Sequence, residues 1–118
     1  MRQVRRLRAQ HALALSNGEF MSLQYLIFDA SDDGEGTGTW EAMASVRASE
    51  LPALRAEVAA VLAAAQADAP GPRGALDEGG AWDAEQQVMT DGDWTTLVLT
   101  LTGPWDWGEA LVERFSAA

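Results

Sequence analysis

The chain is 118 residues long, with a formal net charge of −10, no cysteine, one histidine (His11) and no lysine, all eight basic residues being arginine. That length suits a single domain that buries roughly two thirds of its unfolded surface. The missing cysteines exclude disulfides, thiolate catalysis and Cys-based zinc or iron–sulfur centres, and a single histidine argues against a His-cluster metal site and against Ser-His-Asp chemistry.

No apolar run approaches the ~20 residues of a membrane span, so no membrane partner is expected. At 47% hydrophobic with five tryptophans, the chain also lies outside the class of disordered acidic tails.

Charge divides the chain at residue 20. Residues 1–20 carry Arg2, Arg5, Arg6 and Arg8 against Glu19, a net +3, whereas residues 21–118 carry four arginines and 17 acids, a net −13. Ala9 to Leu15 is too short and too polar for a signal-peptide core. A basic arm, with Val4, Leu7 and His11 on one helical face, is one alternative. The favoured reading makes residues 1–20 a basic extension, disordered or non-native, with Met21 as the natural start. Asn17 to Phe20 can be encoded by a purine-rich, ribosome-binding-like stretch just before that codon. The folded domain is then 21–118.

Within that domain, Ser22 to Ala30 (SLQYLIFDA) reads as a strand covered on both faces. Ser31 to Gly38 (SDDGEGTG) reads as an acidic loop, and Thr39 to Arg47 alternates as a second strand. Ser49 is a candidate N-cap, with Glu50 and Pro52 in the first turn of a helix over 50–67. Leu51, Leu54, Val58, Val61, Leu62 and Ala65 form its buried stripe. Ala69 to Pro72 stops it, and 69–80 is a loop carrying Asp77, Glu78, Gly79 and Gly80. Asp91-Gly92-Asp93 marks a hairpin between strands 81–90 and 94–102. Gly103-Pro104 ends the second of these, and Trp105 to Phe115 reads as a shorter helix.

The order β-β-α-β-β-α gives an α+β fold: a four-stranded antiparallel sheet with two helices on one face, a permuted ferredoxin-like layout.

Four features carry chemical expectations. Asp29, Ser31, Asp33 and Gly34 match the first positions of a D-x-S-x-D-G calcium loop, and Glu35 adds another carboxylate. The bidentate acid that should follow at the twelfth position is replaced by Trp40, so a turn built from Asp and Gly is the stronger reading. Asp83 and Glu85, beside Trp82, are the next carboxylate candidates after Asp29. Trp40, Trp82, Trp105 and Trp107 are candidate contacts for a ligand or partner, with core packing the commoner role of such residues. Ala56, Ala60, Ala63, Ala64 and Ala67 form a small-residue stripe that would allow close approach in a homodimer.

The stretches LIFDASDDGEGTGTWEAMASV and LDEGGAWDAE resemble a group of small hypothetical proteins of high-GC proteobacteria. That resemblance implies a cytoplasmic bacterial domain and brings no activity with it.

The expectation from the residues is a non-enzymatic interaction module that self-associates or binds a basic protein, as an inhibitor or immunity-type acidic protein would. Nucleic acid is not an expected partner of a −13 core. The alternative is a carboxylate enzyme, or one dependent on Ca²⁺ or Mg²⁺, built from Asp29, Asp33, Glu35, Asp77 and Glu78. It requires the two acidic loops to meet at one end of the sheet.

Overall fold

A computed structural model describes residues 4–8 and 23–115. Five strands form one antiparallel sheet: β1 (Val4–Arg8), β2 (Ile27–Asp32), β3 (Thr37–Arg47), β4 (Asp83–Asp91) and β5 (Trp94–Pro104), in the order β1-β2-β3-β5-β4. Helices α1 (Leu51–Ala67) and α2 (Trp105–Arg114) pack on one face. The fold is therefore α+β in the order β-β-α-β-β-α, and the four strands read from the sequence form the run β2-β3-β5-β4 of that sheet.

The sheet has one strand more than expected. Residues 4–8, inside the segment set apart as a basic extension, pair with β2 from Val4 opposite Ser31 to Arg8 opposite Ile27. Their backbone occupies the edge that β2 would otherwise expose. The expectations for residues 9–22, including His11 and a start at Met21, lie outside the described residues.

Strict alternation builds the core. Trp40, Ala42, Ala44 and Val46 of β3, and Leu97, Leu99 and Leu101 of β5, are buried on the face that meets Leu54, Val58, Val61 and Ala65 of α1 and Leu111, Val112 and Phe115 of α2.

Three local expectations are corrected. The first long strand starts at Ile27 and not Ser22, because the amides of Gln24, Tyr25 and Leu26 bond to the Glu57 carboxylate of α1 instead of a neighbouring strand. Part of its apolar excess belongs to a bent lead-in that tucks Leu23 and Leu26 into the core, and within β2 itself no residue is exposed on either face. Ser49 does not cap α1: it lies in a 3-10 turn, Ala48–Glu50, that leads directly into the helix, where the Leu51 amide bonds to the Ala48 carbonyl. Gly103 and Pro104 do not end β5, which continues through Pro104 because Thr37 and Gly38 of β3 pair with both.

Candidate interaction surface

The helices cover one face of the sheet, and among the described residues no helix lies on the other, which is most exposed along β3, β4 and the start of β5. Of the exposed large hydrophobic residues among those described, Met43 (62%), Met89 (57%) and Trp94 (46%) lie on this face. Strand register places them together. Val98, half-buried, stands between Met43 of β3 and Gln87 of β4, and the adjacent rows are Ser45, Thr96, Met89 and then Arg47, Trp94, Asp91. Ser45 and Thr96 share a hydroxyl–hydroxyl bond of 2.6 Å. The Arg47 guanidinium lies 4.6 Å from the centre of the Trp94 ring and 3.9 Å from Asp93. The result is an apolar band with a cation at one end.

Towards the other end the same face turns acidic. Glu41, Thr100 and Glu85 form one row, which Asp29 extends on β2. Beyond it, Asp83, Glu85 and Asp77 line a recess of about 470 Å³ together with Thr37 and Thr100. Arg73 holds this corner: its guanidinium bonds to the Ala84 carbonyl at 2.9 Å, reaches Asp83 at 3.4 Å and lies 5.4 Å from the Trp82 ring centre.

The two acidic loops do lie at the same end of the sheet, since Thr37 and Asp77 line one recess. They do not form a metal cage: among the described residues, no group of three or more acidic or histidine side chains could hold an ion. Asp29 and Ser31 lie on β2, whereas Asp33 and Glu35 sit in the turn that follows. The turn acids serve the backbone. Asp32 accepts the Gly34 amide at 2.8 Å, and Asp33 accepts those of Glu35 (2.7 Å) and Thr37 (3.1 Å). Those amide bonds hold the Asp33 carboxyl below its ordinary range.

A folded-state pKa below the unfolded one contributes stability that is present at neutral pH and is lost as pH falls through the lowered value. The amide resonances of Glu35 and Thr37 are accordingly expected to titrate below the usual aspartate midpoint. A midpoint at the unperturbed value would contradict the turn assignment.

The four tryptophans named as candidate contacts are largely internal. Trp40, Trp82 and Trp107 are buried, and Trp105 is half-buried. Trp105 stacks on Trp40 at 5.4 Å, and Trp107 meets Trp40 edge-on at 6.1 Å and Trp82 at 5.5 Å. The Trp40 indole N–H donates to Glu109 at 3.3 Å. Their faces are occupied by one another. Ala64 of the α1 alanine stripe is buried and Ala60 half-buried, while Ala56, Ala63 and Ala67 remain exposed.

Sequence reasoning passed over Met43, Met89 and Trp94. The signal was present in the alternation, which puts Met43 out of phase with Trp40, Ala42 and Ala44. It also missed Glu57, which lies three residues after Leu54 and four before Val61, and so on the buried stripe.

Comparison with protein-family models, with curated proteins and with solved structures finds no match.

Proposed function

We propose that this chain is an acidic interaction module whose open sheet face docks a basic partner protein. The observation that carries this reading is the band of exposed Met43, Met89 and Trp94 around half-buried Val98, bordered by exposed Glu41 and Glu85. Methionine side chains adapt to varied apolar surfaces, and an acidic border steers and orients a basic partner. The net charge of −10 adds long-range attraction to such a partner.

A synthetic amphipathic peptide of leucine and lysine serves as the probe. Titration followed by amide and methionine-methyl NMR is expected to shift resonances of β3, β5 and β4 on the open face. Met43→Ser and Trp94→Ser are each expected to weaken binding about tenfold, the loss of one well-buried apolar contact. Raising salt weakens it further, because the acidic border is exposed and screened. Shifts confined to α1, or affinity indifferent to salt and to both substitutions, would refute the reading.

A further inference from the structure

We propose that two copies of this chain associate through the outer edge of β4, pairing antiparallel about a two-fold axis at Val88. This goes beyond docking on the open face, because it uses the backbone edge of the sheet.

The first part of that edge is already occupied. Gly74 donates its amide to the Trp82 carbonyl at 2.9 Å, Arg73 donates to the Ala84 carbonyl, and the Ala84 amide bonds to Asp83 Oδ1 at 2.8 Å. The backbone groups of Trp82 and Ala84 therefore point away from β5. Backbone direction alternates along an antiparallel strand, so Gln86, Val88 and Thr90 also present both N–H and C=O outwards. The register with β5 continues unbroken to Asp91, so no bulge turns this edge aside.

From Glu85 to Asp91 every residue is exposed, including Val88 (45%) and Met89 (57%). Val88 lies in the row of buried Leu97, on the side the helices cover elsewhere. Among the described residues, this stretch is thus bare on both faces, and no strand pairs with its outer edge. It carries no lysine and no proline, the usual guards of an exposed edge strand.

The free run reads well against itself. Val88 is its midpoint, and a two-fold axis there sets Val88 opposite the partner's Val88, Gln87 opposite the partner's Met89, and Gln86 opposite the partner's Thr90. Because Gln86, Val88 and Thr90 face outwards, this register forms about six backbone hydrogen bonds between the copies. It stops where Arg73 and Gly74 take over the edge. Acids oppose each other only at the ends, where Glu85 faces the partner's Asp91. Added salt screens that repulsion, so self-association strengthens with salt, the reverse of the expectation for a basic partner.

Sedimentation across a concentration series in low and high salt tests this directly. The expected result is a monomer–dimer equilibrium that shifts towards dimer in high salt. Val88→Pro removes an outward N–H without touching the β4–β5 ladder, and is expected to weaken association about tenfold or more. Val88→Lys keeps the backbone intact and should do the same, which covers a failure of the proline variant to fold.

The absence of cysteine allows a clean crosslinking arm. Gln87→Cys mixed with Met89→Cys should form an intermolecular disulfide on oxidation, and neither alone should do so comparably. A chain that stays monomeric at all concentrations overturns the proposal. So does association unchanged by both Val88 variants, or crosslinking through Met43→Cys in place of the mixed pair. Crosslinking of Gln87→Cys alone overturns the Val88 register.

Discussion

Glu57→Ala is expected to destabilise the protein by about 3 kcal/mol, with the damage centred on the lead-in to β2. Glu57 is only 8% exposed, although it stands in a helix whose other buried residues are apolar. Its Oε2 accepts the amides of Gln24 and Tyr25, and its Oε1 those of Tyr25 and Leu26. Three successive amides converging on one carboxylate form an anion-binding concavity, here filled by the protein's own side chain.

Removal leaves the Leu26 amide buried without its acceptor, while water can reach the exposed Gln24. The sum is therefore well below three full desolvation penalties. Glu57→Gln keeps one acceptor oxygen and turns an NH₂ group towards donors, so a loss of about 2 kcal/mol is expected. Urea unfolding gives the magnitude, and hydrogen exchange at Tyr25 and Leu26 gives the location. A loss below about 0.5 kcal/mol for Glu57→Ala would mean that the carboxylate does not hold this segment.

Gly108→Ala is expected to cost about 2 kcal/mol, against the direction that helix propensity alone implies. In an exposed helix interior the change from glycine to alanine gains about 1 kcal/mol. Here a Cβ at Gly108 would overlap the six-membered ring of Trp40, a fully buried side chain that also packs against Trp105 and Trp107. Gly38 is constrained in the same way, since its Cβ would stand 2.5 Å from Trp40 and 2.6 Å from Trp105. The tryptophan cannot retreat, so the overpacking cost of about 1–3 kcal/mol exceeds the propensity gain.

A double-mutant cycle separates the two effects. In a Trp40→Phe background the overlapping ring is gone, and Gly108→Ala should become neutral or mildly stabilising. Equal penalties in both backgrounds would show that Trp40 is not the obstacle. Thermal unfolding reads the difference, because about 2 kcal/mol corresponds to roughly 10 °C in a domain of this size.

Both changes touch features of unequal visibility. The Trp40 environment was legible only as an abundance of tryptophan, not as particular contacts. Trp105 stacks on Trp40, and Trp107 meets it edge-on. The demand for glycine at Gly108 was not legible, because the obstructing ring is that of Trp40, 68 residues earlier in the chain. Glu57 was readable as a stripe position but not as an acceptor, since its donors come from residues 24–26. The acidic Gly loop was readable for its turn chemistry, which local side-chain to backbone bonds decide.

The amino-acid sequence by itself determined the element order from β2 onwards, the hairpin at Asp91–Asp93, the helix ends set by Pro52 and Pro70, and the buried phase of β3 and β5. These follow from local periodicity and backbone preference, which act over a few residues. Only the tertiary structure decided which tryptophan stays outside, and that Val4–Arg8 joins the sheet at one edge while Glu85–Asp91 is left bare at the other. Strand neighbours and helix coverage come from distant segments competing for the same surface. The resulting apolar band and open edge are products of register, which composition does not contain.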